Sequence, residues 1–464
     1  MEETKTSVKL KKALQDDQRQ QLIPGLPDEI AMECLVRVPY QFHSNMKSVC
    51  HTWQRLISHP SFYQRRLQSG TAEHLVCLVQ PLPPINHSTT SPTTDDDGDG
   101  DGDGDGDPLI NSSSNNKILK NEDKQEEEQQ QHIHSPPQYA LSTYNATHNI
   151  WQRTRPPEGS RIPMFCQCLA LPSSGKLLLL GGWDPTTLEP VPHVYILDLI
   201  ETTGAACKWR RGASMSVPRS FFACGVVGPS TVCVAGGHDS QKNALRSAEV
   251  YDVETDQWEM LPDMIEERDE CQGLSWEGDS KFWVVSGYGT ESQGQFRSDV
   301  EFYDRHTGCW SKIDGVWPFS TTSPRVVTTT VCVSRDKYQW SWFLGGEQQS
   351  QQQQSREVVK VSDNIRLEIV SSIPLPNSIT GTTPCVTALD HVGQEGGNHR
   401  LFVMSGGGGG GGGRGSSTLA CGECEGEGAF LSDGYSNNGT IKWRHIHTPV
   451  GFSGFPYSAS SLVI

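Results

Sequence analysis

Five apolar runs in this chain end on a pair of small residues. "KLLLLGGW" closes on Gly181 and Gly182, "TVCVAGGH" on Gly236 and Gly237, and "SWFLGGE" on Gly345 and Gly346. Two weaker copies, "FWVVSGY" and "LFVMSGG", carry Ser286–Gly287 and Ser405–Gly406. The second positions are 182, 237, 287, 346 and 406, so the spacings are 55, 50, 59 and 60. A unit recurring near every 50 residues cannot bury its apolar face alone and must stack on its neighbours.

Each copy repeats a finer pattern. One apolar strand precedes the strand that ends in the glycines. After a loop comes a third strand, "VYILDLIE", "AEVYDVET" or "VEFYDRHT", and then a Trp: Trp209, Trp258, Trp310 and Trp443. That is a four-stranded antiparallel blade whose aromatic side chains fill the space between blades. The fourth copy, "EVVKVSDNIRLEIVSS", lacks both the Tyr-Asp and the Trp. The pattern resembles the kelch repeat, over roughly residues 74–464, and the resemblance implies an all-β propeller.

A remainder completes the count. "EHLVCLVQP" suits a second strand, and "QYALSTYNATHNIWQRT" supplies Tyr144 and Trp151 in third and fourth strands. Its first strand is missing. The C-terminal "YSASSLVI" has the small-then-apolar texture of the first strands "FFACGVV", "CQGLSW" and "PCVTAL". The expectation is six blades, the sixth stitched from both ends of the sequence, which removes the open sheet edge.

Residues 82–137 interrupt that blade. Eight of the Asp residues lie between Asp95 and Asp107, so much of the formal charge of −17 is local. High charge with few apolar residues predicts a disordered spacer. The Asp-Gly run begins like a calcium loop. Counting from Asp95, Asp97, Asp99 or Asp101, however, the twelfth position is Gly106, Pro108, Ile110 or Ser112, where a bidentate Glu is required. The Gln tract 348–354 and the Gly run 406–413 are similar loops. "CGEC" at 421–424 has half the ligands of a zinc knuckle and no second half. No nucleophile elbow, phosphate loop or HExxH is present, and the His residues lack the spacing of a copper oxidase. The reading is a non-enzyme without metal or cofactor. The acidic balance argues against nucleic acid as partner, and no run of 18 apolar residues indicates a membrane span. No leader-like segment opens the sequence, so cytoplasm or nucleus is expected, with the 14 Cys as reduced core thiols.

Residues 22–67 differ in kind, after a disordered tail over 1–21. Pro27 opens a helix with Asp28 and Glu29 in its first turn. Ile30, Cys34, Leu35 and Val38 are expected on one stripe, with Pro39 as the stop. A second helix is expected to place Met46, Val49, Cys50, Trp53, Leu56 and Ile57 on one face until Pro60. Leu26, Pro27, Ile30, Leu35, Arg37, Val38, Pro39, Val49, Cys50, Trp53, Leu56, Pro60 and Phe62 together resemble the F-box. That resemblance implies docking to the SKP-type adaptor of a cullin–RING ubiquitin ligase. Leu26, Pro27, Ile30, Leu35, Val38 and Pro39 would meet the adaptor, while Trp53 and Val49 would hold the module together.

Several stretches, among them "GGWDPTTLEPV", "PRSFFACGVV", "GGHDSQKNALRSAEVYD" and "SGYGTESQGQFRSDVEFYD", resemble the plant KISS ME DEADLY type of F-box/kelch protein. The resemblance implies a substrate receptor of an SCF ligase, with phenylalanine ammonia-lyase or cytokinin response regulators as substrates. The alternative is a kelch scaffold without ligase function.

In such meanders, the elaborated loops after each second strand share one face, and the F-box enters on the other. An Arg recurs on the elaborated face before each first strand: Arg161, Arg219, Arg268 and Arg325, which precede the glycine pairs by 20, 17, 18 and 20 residues. Two readings are open for them: a ring of guanidiniums for acidic segments, or bonds to neighbouring blades. Trp183, His238, Arg246 and Tyr288 are further contact candidates on that face.

Overall fold

A computed structural model describes residues 21–82, 136–154, 156, 159–200, 208–275, 280–317, 319–321, 323–326, 340–345, 357–362, 369–376, 384–389, 400–405, 428–435 and 441–464. The protein divides into two compact units, Met1–Leu82 with Gln138–Ile464, and Pro83–Pro137. Of the second, only 136–137 are described. The expected spacer, the Gln tract, the Gly run and "CGEC" lie outside the described residues, as do residues 1–20.

The described residues of the first unit begin with four short helices: α1 (Asp28–Leu35), α2 (His43–Lys47), α3 (His51–Ser58) and α4 (Pro60–Gln68). Pro27 caps α1, and a 3-10 turn over Tyr40–Phe42 follows Pro39. One expectation is corrected. The second helix is split, because the Cys50 thiol takes the N-cap of α3 and accepts from the Trp53 amide. As expected, α3 stops before Pro60, which itself sits at the first position of a further helix, α4, where its missing N–H costs nothing. The buried stripe of α1 is also rotated from the expected one. Ala31, Met32, Leu35 and Val36 form the core with Met46, Leu56, Ile57 and Phe62, while Ile30 and Cys34 face outward.

The rest of the unit is β. The strands, in sequence order, are β1 (His74–Pro81), β2 (Tyr139–Asn145), β3 (Ile150–Thr154), β4 (Gln167–Leu171), β5 (Lys176–Leu180), β6 (Val194–Asp198), β7 (Lys208–Arg211), β8 (Ala223–Val226), β9 (Thr231–Ala235), β10 (Ala248–Asp252), β11 (Gln257–Leu261) and β12 (Gln272–Ser275). They continue with β13 (Lys281–Val285), β14 (Val300–Asp304), β15 (Cys309–Ile313), β16 (Trp340–Gly345), β17 (Glu357–Ser362), β18 (Ile369–Pro374), β19 (Cys385–Leu389), β20 (Arg400–Ser405), β21 (Gly428–Tyr435), β22 (Ile441–Ile446) and β23 (Ser458–Val463). Among the described residues they form six antiparallel sheets. Five have four strands: β4 to β7, β8 to β11, β12 to β15, β19 to β22, and β23-β1-β2-β3. The sixth holds β16, β17 and β18. Sheets of this kind are consistent with a kelch propeller. The terminal strand β23 lies antiparallel to β1, with Leu462 opposite Leu75 and Ser458 opposite Val79.

Local chemistry explains the repeat. At Gly182 and Gly237 the backbone is left-handed, at φ +92° and +83°. A Cβ at Gly182 would stand 2.4 Å from the Met164 carbonyl, and one at Gly237 would stand 2.3 Å from that of Ser220. Only glycine lets the end of the second strand pass that close to the start of the first. The fourth-strand Trp side chains tie neighbours together. Trp258 donates to the Ala213 carbonyl at 2.8 Å, Trp310 to that of Pro262 at 2.7 Å, and Trp151 to that of His447 at 3.2 Å. In each case the acceptor lies in the segment leading out of the preceding sheet. Tyr251 stacks on Trp258 at 4.7 Å, so the Tyr-Asp and Trp positions meet across one hairpin.

The helical module is fastened to this β structure by a buried polar knot. Arg66, 1% exposed, pairs with Glu73 at 2.5 Å, and it donates to the Val36, Val38 and Thr71 carbonyls and to His43. Glu73 also accepts from the Tyr40 amide and the Asn145 amide side chain. The backbone of Glu73 exchanges both hydrogen bonds with Ile464, at 2.7 and 2.9 Å. Tyr40 and Lys47 donate to the Leu199 and Ile200 carbonyls just past β6. The module therefore contacts the face where first and third strands end.

Candidate partner-binding surfaces

The first surface lies on the helical module. Pro27 is exposed at the start of α1, and Ile30 and Cys34, four residues apart, stand on its outer side. Ile30 is 52% exposed and Val49 is 63% exposed, and Phe42 is also exposed. Of the expected adaptor residues, Leu26, Val38 and Pro39 are half-buried. Leu35 is only 2% exposed and belongs to the module's own core. The expectation for Val49 is reversed as well. Helical periodicity alone does not say which of two adjacent apolar stripes is covered. Trp53 does hold the module, donating to the Leu22 carbonyl at 2.7 Å.

The second surface lies at the opposite end of the sheets, where second strands end and first strands begin. The bridges Met164–Trp183, Ser220–His238 and Asp269–Tyr288 join these ends in three successive sheets. They bring together three of the expected contact residues, Trp183, His238 and Tyr288. Trp183 donates to Nε2 of His238 at 3.1 Å, so the ring carries its proton on Nδ1 and donates it to the Asp269 carboxylate at 3.0 Å. His238 and Tyr288 are buried, while Trp183 is half-buried, with the Lys242 ammonium 5.4 Å above its ring. Tyr288 donates to Glu270 at 3.2 Å.

The four arginines separate. Arg219 and Arg268 are fully buried, which removes them from any ring of guanidiniums at the surface. Arg219 pairs with Glu249 at 2.9 Å and donates to the Gly236 and Ser247 carbonyls. Arg268 pairs with Glu301 and Asp299 and donates to the Ser286 carbonyl. Glu249 also accepts from the Ser216 and Val217 amides, and Glu301 from those of Ile265 and Glu266. A third-strand Glu and an incoming Arg thus fasten each of these two sheets to the segment entering it. In the preceding sheet, Pro163 takes the place of this Arg and Tyr195 that of the Glu. Arg161 falls two residues outside the register, exposed, and donates to the Thr186 hydroxyl. Arg246 is exposed and donates to the Met264 carbonyl at 3.0 Å.

Arg325 differs from all three. It is half-buried, and its Nη1 donates to the carbonyls of Phe222 and Cys271, at 2.8 and 3.3 Å. Those residues immediately precede β8 and β12. Its guanidinium lies 5.0 Å from the centre of the Phe221 ring.

Sequence reading missed the aromatic residues around it. Phe165 packs on Phe221 at 5.0 Å, Trp183 at 5.5 Å and Tyr457 at 4.7 Å, and Phe221 stacks on His238 at 5.5 Å. Phe165, Phe221 and Glu270 occupy equivalent positions, one residue past each bridge, and all three are left-handed, at φ +56°, +52° and +48°. The signal available was their common offset from the glycine pair. Among the described residues no group of three His, Cys, Asp or Glu side chains could hold a metal ion. No described helix is long and apolar enough to cross a membrane.

Two family models match the sequence. The F-box domain matches residues 23–65 and the Kelch motif matches residues 218–265. The sequence is 43% identical to the F-box/kelch-repeat protein SKIP20 of Arabidopsis thaliana, over 96% of this protein and 97% of that one. It is also 43% identical to F-box/kelch-repeat protein At2g44130 of the same plant, over 98% and 99%. F-box/kelch-repeat protein At1g15670, again from Arabidopsis thaliana, is 36% identical over 63% and 69%. A helical module carrying exposed Ile30 and Val49, repeated glycine-paired sheets, and relatives that align end to end lead to one conclusion: the chain belongs to the F-box/kelch-repeat proteins.

Proposed function

We propose that this protein is the substrate-recognition subunit of an SCF-type E3 ubiquitin ligase. Its helical module docks an SKP-type adaptor, and through it a cullin and RING subunit. The loop face of the sheets holds the protein to be ubiquitinated. The receptor adds no chemistry of its own; it raises the local concentration of substrate lysines at a charged E2. The observation that carries this reading is apolar surface left exposed on a small module, Ile30 and Val49 above all, while its own core is complete. Such exposure on so small a unit marks a partner site. The contacts of Tyr40, Lys47 and Arg66 leave the module on the face opposite the aromatic cluster, so both partners can be held at once. The resemblance to the KISS ME DEADLY type makes phenylalanine ammonia-lyase and cytokinin response regulators the first substrates to try.

Pull-down of an SKP-type adaptor tests the reading. Wild type should capture it, and Ile30→Asp with Val49→Asp should weaken capture at least tenfold, because a buried unpaired carboxylate is costly in an apolar contact. If the wild-type protein captures no SKP-type adaptor, the alternative of a kelch scaffold without ligase function stands instead.

A further inference from the structure

Three of the four recurrent arginines have an evident occupation. Arg219 and Arg268 are paired inside the sheets and Arg161 stands in solvent. Arg325 is the exception. Its guanidinium is half-buried between two sheets, yet among the described residues no carboxylate lies within ion-pair distance of it. Burial draws its pKa downward, while the carboxylates of Glu270 and Asp269, near but beyond ion-pair distance, act to raise it. Those two acids compensate a buried charge only at a distance, and a carboxylate in direct contact would compensate it better. The two carbonyls it meets satisfy Nη1 alone, so among the described residues Nη2 and Nε of the fork are left to donate elsewhere.

The surroundings add a second chemistry. Phe221 lies under the guanidinium, Phe165 packs beside Phe221, Trp183 packs edge-on against both rings, and Tyr457 packs on Phe165. Phe165 and Phe221 are half-buried rather than sealed. Both hold a left-handed backbone that a Phe adopts only at a cost. The same conformation recurs at Glu270 in the next sheet, so it belongs to the repeat; in these two sheets the residue that adopts it is a Phe, and the two rings meet at 5.0 Å. Lys242, above Trp183, adds a second exposed cation at the edge.

We infer that Arg325, with Phe221 and Phe165, forms a recognition site for a peptide segment bearing a carboxylate next to an aromatic or large apolar side chain. The carboxylate takes the open side of the guanidinium fork, and the neighbouring side chain lies on the Phe rings. This deepens the receptor reading above and rests on it for its biological meaning, but the site itself does not depend on the adaptor. The carboxylate can come from an internal Glu or Asp or from the C-terminus of a polypeptide; the chemistry is the same.

Fluorescence polarisation with the full-length protein tests it. The probes are labelled peptides with a central Glu-Phe in a Gly/Ser context and an amidated end, matched Gln-Phe and Glu-Ala peptides, and a Gln-Phe peptide whose only carboxylate is at its C-terminus. Glu-Phe should bind at least tenfold tighter than Gln-Phe, the usual scale for a charge-assisted pair. Glu-Ala should be weaker as well. The peptide with the terminal carboxylate shows whether a free end serves as well as a side chain. Arg325→Gln should make Glu-Phe and Gln-Phe bind alike, an outcome that a merely structural role for Arg325 would not give. Phe221→Gly, which relieves the left-handed strain, should fold and still lose affinity.

Equal binding of Glu-Phe and Gln-Phe by wild type, or no binding up to about 1 mM, overturns the site even if Arg325→Gln does not fold. An unchanged Glu-to-Gln ratio in a folded Arg325→Gln does the same. Adaptor capture is read on the same preparation. Its loss with acid-selective binding intact sinks the ligase reading alone, and its presence without acid selectivity sinks this site alone.

Discussion

Arg268 stands ahead of β12 and Arg325 ahead of β16, in neighbouring repeats, yet they live in opposite circumstances. Arg268 is sealed between Glu301 and Asp299 and spends its donors on them and on the Ser286 carbonyl. Arg325 meets two carbonyls and an aromatic face and, among the described residues, no acid. The same residue type serves as a rivet where a third-strand Glu faces it, and Arg325, which has no such partner among the described residues, keeps spare donors. Burial alone does not decide between structure and recognition; the presence of the partner does.

The comparison breaks most visibly at Glu301. Glu301→Ala strips the counter-ion from buried Arg268 and orphans the Ile265 and Glu266 amides, and should cost about 3–5 kcal/mol in denaturant unfolding. Arg268→Ala should cost less, because Glu301 keeps those amides. A loss of under about 1 kcal/mol for Glu301→Ala would mean that the rivet is ornamental.

Acid sharpens the same contrast at the joint. Burial pushes His43 down to about 3, and the adjacent Arg66 guanidinium adds to the shift. Its folded value is below the unfolded one, so the unfolded state binds the extra proton. Stability is full above the ordinary histidine range and falls as pH drops from about 6.5 toward 3. At pH 5 the loss should be about 2 kcal/mol, and His43→Gln should flatten that slope in thermal melts across pH. Asp299 acts lower still. Burial raises its pKa, but the Arg268 and Arg297 guanidiniums more than offset that and leave it at about 2, so its contribution fades only between about pH 4 and 2.

Smaller effects complete the series. Arg325→Gln should move stability by no more than about 1 kcal/mol, since lost carbonyl bonds are offset by the removal of an unpaired cation. A drop as large as that of Glu301→Ala would make Arg325 a rivet too. Arg161→Ala, exposed and out of register, should shift stability by no more than about 0.5 kcal/mol.

Much of this was legible in the residues themselves. The glycine pairs marked strand ends because only glycine passes the Met164 and Ser220 carbonyls so closely. The Trp positions marked the contacts between sheets, and "YSASSLVI" was recognisable as a strand seeking an early partner. Other parts were hidden for physical reasons. Ile30 and Leu35 are both apolar residues of one short helix, and which is covered depends on the other helices. The arginines look alike, and their offsets from the glycine pairs do not separate Arg161 from Arg325, both at 20; only the third strands hint at the difference, since "VYILD" carries Tyr195 where "AEVYD" and "VEFYD" carry Glu. Phe165 and Phe221 read as ordinary core aromatics, because nothing in a side chain's identity announces a left-handed backbone.

The pairing of β1 with β23 has a consequence for synthesis. The helical module and β1 leave the ribosome early, but the strand that covers one edge of β1, and the Ile464 backbone that ties down Glu73, are made hundreds of residues later. Until then β1 is an apolar edge awaiting its neighbour, and the Arg66–Glu73 knot lacks the backbone bonds that fix its acid. A product truncated late would still present a complete-looking module to an adaptor while its first sheet stayed unfinished. Production of a finished protein is therefore decided by the last of these strands to emerge, which makes the interval before it the window in which chaperones meet an incomplete product.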